Sequence, residues 1–324
     1  MNIPKSSILE RELVSRIRDS AREGESATAR AMAATVIVAS DSIRAASADA
    51  TIDRLMGRRP ARVLHVRSGS EGPSRAWTSA RCALDRASRG VCFEDIFIES
   101  PDEEALDPRI WGPFLIRELP AILFWNFGPG ALTECGCGPF CAERVDLVVA
   151  DGSLDFNFIQ GGGDAPVRNF IDAILQTIAD APAYSDLAWE RLENLRLAVA
   201  RLFDGSERRG DLAKIVSISV SLRDSWSEML VEGWLRSRLS AIGMSEKVEI
   251  SLVQGDAGLV FVLEGGRRYS VGFPTGSVAL LSYSDTEVLE LGFRETDDGL
   301  ILANLLDDPA ADPMYRQAIS AIRR

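Results

Sequence analysis

Three cysteines stand close together in Cys135-Gly-Cys137-Gly-Pro-Phe-Cys141, the densest set of soft donors in the chain. Thiolates bind zinc, and neighbouring thiols exchange as redox pairs. A tetrahedral site needs a fourth ligand, and Cys82, Cys92 and His65 are the available donors, all on expected strands. Neither a C-x-x-C pair nor a ferredoxin spacing is present. A glycine-rich loop with unpaired cysteines is the plainer reading. His65, the only histidine, lies in the apolar Val63-Leu-His-Val66. A histidine base works with a nucleophile and an orienting acid, and the sequence points to neither, so a structural histidine is expected. Gln160-Gly-Gly-Gly-Asp164 precedes a helix and offers amides to an anion. It has no Gly-Lys-Ser/Thr and no G-x-G-x-x-G spacing, so it reads as a linker with a cap. Glu94, Asp95 and Glu99, with Glu103-Glu104 behind them, could pair as acid and base, but a solvated acidic face is expected. Arg58-Arg59 and Arg208-Arg209 flank turns and are expected in water. No catalytic residue and no cofactor emerge.

The 324 residues suffice for two domains with a substantial core. Basic residues number 36 against 48 acidic, a net charge of −12. That balance argues against nucleic acid and anionic membranes as partners, since both need a basic face. No apolar run approaches the roughly 20 residues that span a bilayer. The polar N-terminus does not read as a secretory signal, and five cysteines, an odd count, suit a reducing compartment. A cytoplasmic protein is expected.

The elements that would position these residues follow from apolar spacing. A capping box at Ser7-Ile-Leu-Glu10 opens a helix to about Arg22. Ala33 to Ala39 is a buried strand. A helix capped by Ser40-Asp41-Ser42 follows, with Ile43, Ile52, Leu55 and Met56 as its apolar positions and Gly57 as its stop. Ala61 to Val66 completes a right-handed β-α-β unit. Arg75 to Leu84 and Val91 to Ile98 form an antiparallel hairpin on that sheet. Asp107-Pro108 starts a short helix that Gly112-Pro113 kinks and Leu119-Pro120 ends. Ala121 to Trp125 and Val145 to Ala150 are further buried strands.

Helices are expected over Val167 to Ile178, from Tyr184-Ser185-Asp186 to Leu202, and from Trp226 to Ile242, with a strand from Ile215 to Val220. The last of these helices ends at Gly243. Short apolar runs at 248–253, 258–264, 268–273, 277–283 and 286–293 read as an antiparallel meander. A final helix starts at Asp312-Pro313 and turns Tyr315, Ile319 and Ile322 inward. The fold class is mixed α/β. An N-terminal β-α-β-containing domain (1–157) precedes an α+β domain with the meander (158–324).

Four blocks, in one order, resemble the glucose-6-phosphate dehydrogenase assembly protein family (OpcA). They are the strand–helix–strand from Ala34 to Val66 ending Pro60-Ala-Arg-Val-Leu-His65, and Leu115-Ile-Arg-Glu-Leu-Pro-Ala-Ile-Leu-Phe-Trp125. The third is Asp186-Leu-Ala-Trp-Glu-Arg-Leu-Glu-Asn-Leu-Arg196, and the fourth is the tail Leu289-Glu-Leu291 with Tyr315. The chain departs where Phe-Trp-Asn stands in place of the family's double Trp and Pro. The cysteine loop and the triple glycine are not family features. The resemblance implies a non-catalytic accessory protein that binds glucose-6-phosphate dehydrogenase and promotes its assembly or activation in the oxidative pentose phosphate pathway.

On that reading the contact residues are Asp186, Trp189, Arg191, Leu192 and Arg196, of which Trp189, Leu192 and Arg196 share a helix face. Trp111 and Arg117, expected exposed beside the buried Ala121–Trp125 strand, join them. Two alternatives stay open. One is a sugar-phosphate-binding protein or enzyme using arginines at a sheet edge. The other is a thiol or metal sensor built on Cys135, Cys137 and Cys141.

Overall fold

Strand β1 (Thr35–Asp41) is buried over all but its last residue. Its neighbours on both sides run parallel to it, as a strand rich in Val and Ile requires when helices or loops cover both faces. The computed structural model describes residues 33–322 except 57, 85–89, 128–142, 160–163, 182, 276, 285–286 and 295. The expected N-terminal helix, the Cys135–Cys141 loop and the triple glycine lie outside the described residues.

After β1, Asp41 accepts the Arg44 N–H at 2.7 Å and closes a turn. Helix α1 (Ala45–Leu55) therefore starts later than the sequence suggests, and Ile43, in the turn, is 82% exposed rather than inward. Strand β2 (Ala61–Ser68) pairs parallel with β1. Strands β3 (Arg75–Leu84) and β4 (Gly90–Glu99) form the expected antiparallel hairpin, with β4 parallel to β2. Asp107 caps α2 (Pro108–Trp111) through the Arg109 N–H. A 3-10 turn follows at Gly112–Phe114, so the helix stops at Pro113's neighbourhood, before Leu119. Strand β5 (Ala121–Asn126) is buried throughout, and β6 (Leu147–Ala150) pairs parallel with it.

Two helices then begin, α3 (Gly152–Ile159), which the sequence did not announce, and α4 (Asp164–Asp180). Strand β7 (Tyr184–Asp186) leads into α5 (Leu187–Arg191). The single helix expected up to Leu202 is broken at Leu192, and α6 (Glu193–Leu202) restarts it. Helix α7 (Ser206–Asp211) precedes β8 (Ile215–Ser221), and Asp224 caps α8 (Ser225–Ala241) by accepting the Ser227 N–H. Strands β9 (Glu249–Leu252), β10 (Gly258–Leu263), β11 (Arg268–Thr275), β12 (Val278–Tyr283) and β13 (Glu287–Gly292) follow. Helices α9 (Asp298–Asp307), not foreseen, and α10 (Pro313–Ile322) complete the described chain.

These elements form two compact units. The first takes in the chain up to Asp151, with Asp172–Ser185 and Asp298–Ala311. Its seven-stranded sheet has the order β3-β4-β2-β1-β5-β6-β7. Helix α9 lies against α1 at Gly299, where a Cβ would come within 2.3 Å of the Arg54 carbonyl carbon. Arg54–Asp298 at 3.6 Å and Arg59–Asp307 add ion pairs across that contact. Arg59 is thus engaged, not left in water as expected.

The second unit comprises Gly152–Ile171, Asp186–Asp297 and Asp312–Arg324. Its six-stranded sheet has the order β13-β12-β11-β10-β8-β9. The expected meander is interrupted here. Strand β8 sits between β10 and β9, and β9 runs parallel to β8. The cause is α8: a helical crossover returns the chain parallel to the strand it left. Helix α10 packs on α8 at Gly233, where a Cβ would meet the Ala318 carbonyl oxygen at 2.3 Å. Among the described residues no helix is long and apolar enough to cross a membrane.

Candidate docking site

The block Asp186–Arg196 is built around a carboxylate with no access to water. Asp186 is 0% exposed. Its Oδ1 accepts the N–H of Ala188 at 2.8 Å, which caps α5, and that of Gly152 at 3.1 Å, which opens α3. Its Oδ2 accepts the Trp226 indole N–H at 2.8 Å and the Tyr315 hydroxyl at 3.2 Å. A buried charge is tolerable only when its lone pairs are filled. Here α3, α5, α8 and α10 each supply a donor, so one side chain ties four helices. Gly152 must be glycine: a Cβ would lie 2.3 Å from Trp226 Nε1 and 2.5 Å from Asp186 Oδ2. Phe156 and Phe170 pack on the Trp226 rings at centroid distances of 5.3 and 5.0 Å.

Trp189, also 0% exposed, donates its indole N–H to Asp312 at 2.7 Å. Arg196 lies over its ring, Cζ 3.8 Å from the centroid, and donates to the Trp189 carbonyl. Burial lowers the Arg196 pKa, against the opposing pull of Glu190, Asp312 and Glu193. Trp189 and Arg196 thus meet across the break at Leu192, through the ring contact and the hydrogen bond rather than on one helix face.

The proposed contact residues thus fall into two groups. Asp186, Trp189 and Leu192 are buried, and Trp111 is 2% exposed, its indole donating to Leu106, so the expectation of an exposed Trp111 is corrected. Side chains this deeply buried pack the interior of the fold. Arg191 and Arg117 are exposed, and Arg196 is half-buried.

Beyond this block the exposed side of α6 carries Leu197, 49% exposed. It borders an open hollow of about 610 Å³ lined by Phe203, Leu212 and Trp234, with Arg201, Asp204 and Arg209 at the rim. Asp204 takes one N–H from Arg201 at 3.1 Å and one from Arg209 at 3.0 Å, and these two hydrogen bonds hold its pKa below the ordinary carboxylate value. Arg208 lies over the Tyr283 ring at 4.5 Å. The hollow, like Leu197, was not foreseen: spacing shows which residues share a helix face but not what stands opposite them.

In the first unit the carboxylates of β4 are not the solvated face the sequence suggested. Asp95 is 0% and Glu99 6% exposed. Sheet register explains it: Val63, His65 and Arg67 on β2 lie beside Asp95, Phe97 and Glu99 on β4. His65 sits between two acids, Nε2 3.0 Å from Asp95 and Nδ1 3.2 Å from Asp49 on α1. Arg81 donates twice to Asp95, at 2.6 and 2.9 Å, and bonds Asp53 of α1. Arg67 joins Asp49 to Glu99, and Arg75 also pairs with Glu99. Burial pushes the His65 pKa down, but Asp49 and Asp95 outweigh it and the net shift is upward. For Asp49 and Asp95 burial raises the pKa, while His65 with the arginines brings both below the ordinary value. Rings of His65, Phe97 and Trp77 stack at 4.3 and 4.7 Å. The cluster clasps α1 to the sheet. Among the described residues no group of three or more His, Cys, Asp and Glu is placed to hold a metal.

Residues 52–158 match the family model of the glucose-6-phosphate dehydrogenase subunit N-terminal domain, and residues 182–319 that of the C-terminal domain. The chain belongs to the OpcA family of glucose-6-phosphate dehydrogenase assembly proteins. It is 25% identical over 196 residues to a protein of Synechocystis sp. provisionally named OxPP cycle protein OpcA. That alignment covers 58% of this chain and 38% of the relative, so the match spans well under half of the relative's length. A provisionally assigned oxidoreductase from Klebsiella pneumoniae aligns over 90% of this chain and 91% of its own, at 11% identity and a TM-score of 0.40, too distant a likeness to carry an argument. Of the block that carries the resemblance, Asp186 and Trp189 are both interior ties of the second unit.

Proposed function

We propose that this chain is a cytoplasmic, non-catalytic accessory protein that binds glucose-6-phosphate dehydrogenase and promotes its assembly or activation. The observation that carries the reading is the match, in order, to both domains of the assembly family. The family is one of accessory rather than catalytic proteins, and that supports the absence of an activity of its own. The partner is the dehydrogenase, with no role for nucleic acid or membrane. The mechanism is differential binding: a protein that holds the active oligomer or conformation more tightly than the inactive one shifts the population toward it.

Arg191 and Arg117 are the proposed contact residues among those named from the sequence. Asp186, Trp189, Leu192, Arg196 and Trp111 act by holding the surface in shape. Purified dehydrogenase from the same organism, titrated with this chain, tests the reading. Activity and sedimentation coefficient should both rise to a plateau. An enzyme unchanged in rate and in size at saturating concentrations would refute it.

A further inference from the structure

We infer that the hollow beside Leu197 is where the partner docks, and that it takes a large apolar side chain flanked by carboxylates on the partner protein. The inference rests on the reading above, in which that partner is glucose-6-phosphate dehydrogenase, and adds where and with what chemistry it binds.

Three observations carry it. Leu197 exposes half of its surface on a helix whose other leucines, Leu195 and Leu202, are buried. It stands at the edge of the roughly 610 Å³ hollow whose floor is Phe203, Leu212 and Trp234. An apolar concavity ringed by charge is the form in which interface anchors are received. Among the described residues of its floor the Trp234 indole is the single side-chain donor, too few oriented donors and acceptors to hold a small polar ligand.

The rim is basic in an acidic chain. Of the charged residues that line the hollow, the cations Arg201 and Arg209 outnumber the one acid, Asp204, while the chain as a whole carries −12. Arg201 and Arg209 are 67% and 70% exposed and share the single carboxylate of Asp204. Each gives that carboxylate one N–H, and a guanidinium carries five donors. This rim is charge-complementary to carboxylates. A second copy of this chain placed symmetrically on the same hollow would set arginine against arginine, which disfavours self-association there.

The test uses the full chain and purified dehydrogenase, with affinity measured by calorimetry. Leu197→Glu changes an exposed residue, and Arg201→Glu/Arg209→Glu changes only the rim, so both variants should keep the wild-type circular dichroism. Each is expected to weaken binding about tenfold or more. The double reversal should also flatten the dependence of affinity on salt. Arg316→Glu, on the exposed side of α10, should bind as the wild type does. Binding by Leu197→Glu and by the double reversal within about twofold of wild type would overturn the docking site and leave the accessory role standing. Failure of the wild type to bind overturns both. A thermal shift with inorganic phosphate that disappears in the double reversal would assign the rim to a small anion and overturn the inference, as would loss of self-association in Leu197→Glu.

Discussion

Asp186 joins four helices through one carboxylate. Asp186→Ala removes the acceptor that two backbone amides, an indole N–H and a tyrosine hydroxyl share in the interior, at a cost of about 3 kcal/mol or more. Asp186→Asn, which keeps one carbonyl acceptor, should cost visibly less; chemical denaturation curves of both would measure it, and equal losses would contradict the hydrogen-bond account. His65 gives a second residue-scale prediction. Asp49, Asp53, Asp95 and Glu99 face Arg67, Arg75 and Arg81, so the cluster is balanced only with the imidazole protonated. The folded pKa of His65 lies above its ordinary 6.5. Its contribution is therefore complete below about pH 6.5 and is lost as pH rises through the folded value. Asp49 and Asp95 are shifted the other way. Their contribution is present above their ordinary 3.8 and is lost as pH falls through the lower folded values. The urea midpoint should decline on both sides of a mildly acidic plateau, and His65→Gln should remove the alkaline decline alone. None of this was legible beforehand. The partners of Asp186 lie at Gly152, Trp226 and Tyr315, and nothing in a linear pattern links them. His65 is buried, and its two acids become its neighbours only in the fold, Asp95 through strand register and Asp49 through the packing of α1.

At the scale of elements, alternation and apolar runs located the strands well, because a pleated backbone prints its period on the sequence. The β-α-β unit, the hairpin and the buried strand before Asn126 all stand where they were expected. Helices α3 and α9 were missed for one shared reason. Each has glycine in its first turn, Gly152 and Gly299, and glycine there reads as a breaker. In the fold those glycines are points of close approach, where a side chain would collide with Trp226 or with the backbone of α1. Gly233, in the middle of α8, is a third case. Gly233→Leu forces a side chain into the Ala318 carbonyl and should cost about 2 kcal/mol or more by displacing α10. Thermal unfolding would reveal it, and an unchanged midpoint would show that α10 does not rest there. The parallel direction of β9 was hidden too, since strand periodicity is the same in either direction.

For the whole molecule, the segment after Asp297 supplies both units. Helix α9 covers α1 in the first, and α10 brings Tyr315 to Asp186 and Ala318 to Gly233 in the second. Removing everything after Asp297 should therefore cost both units their cooperative unfolding, seen as a broad, low-midpoint transition by near-ultraviolet circular dichroism. The resemblance named the family. The surface itself came only from tertiary structure, because the motif residues that carry the resemblance are mostly inside. The placement of α9 and α10 has a consequence for biosynthesis. Ribosomes add about 5–20 residues per second, and the segments that close each unit are translated after the rest of both. Neither unit can be completed while the earlier part of the chain emerges, so the nascent protein stays open until residue 318 has cleared the exit tunnel. A message cut short before residue 298 would yield not one good half but two unfinished ones.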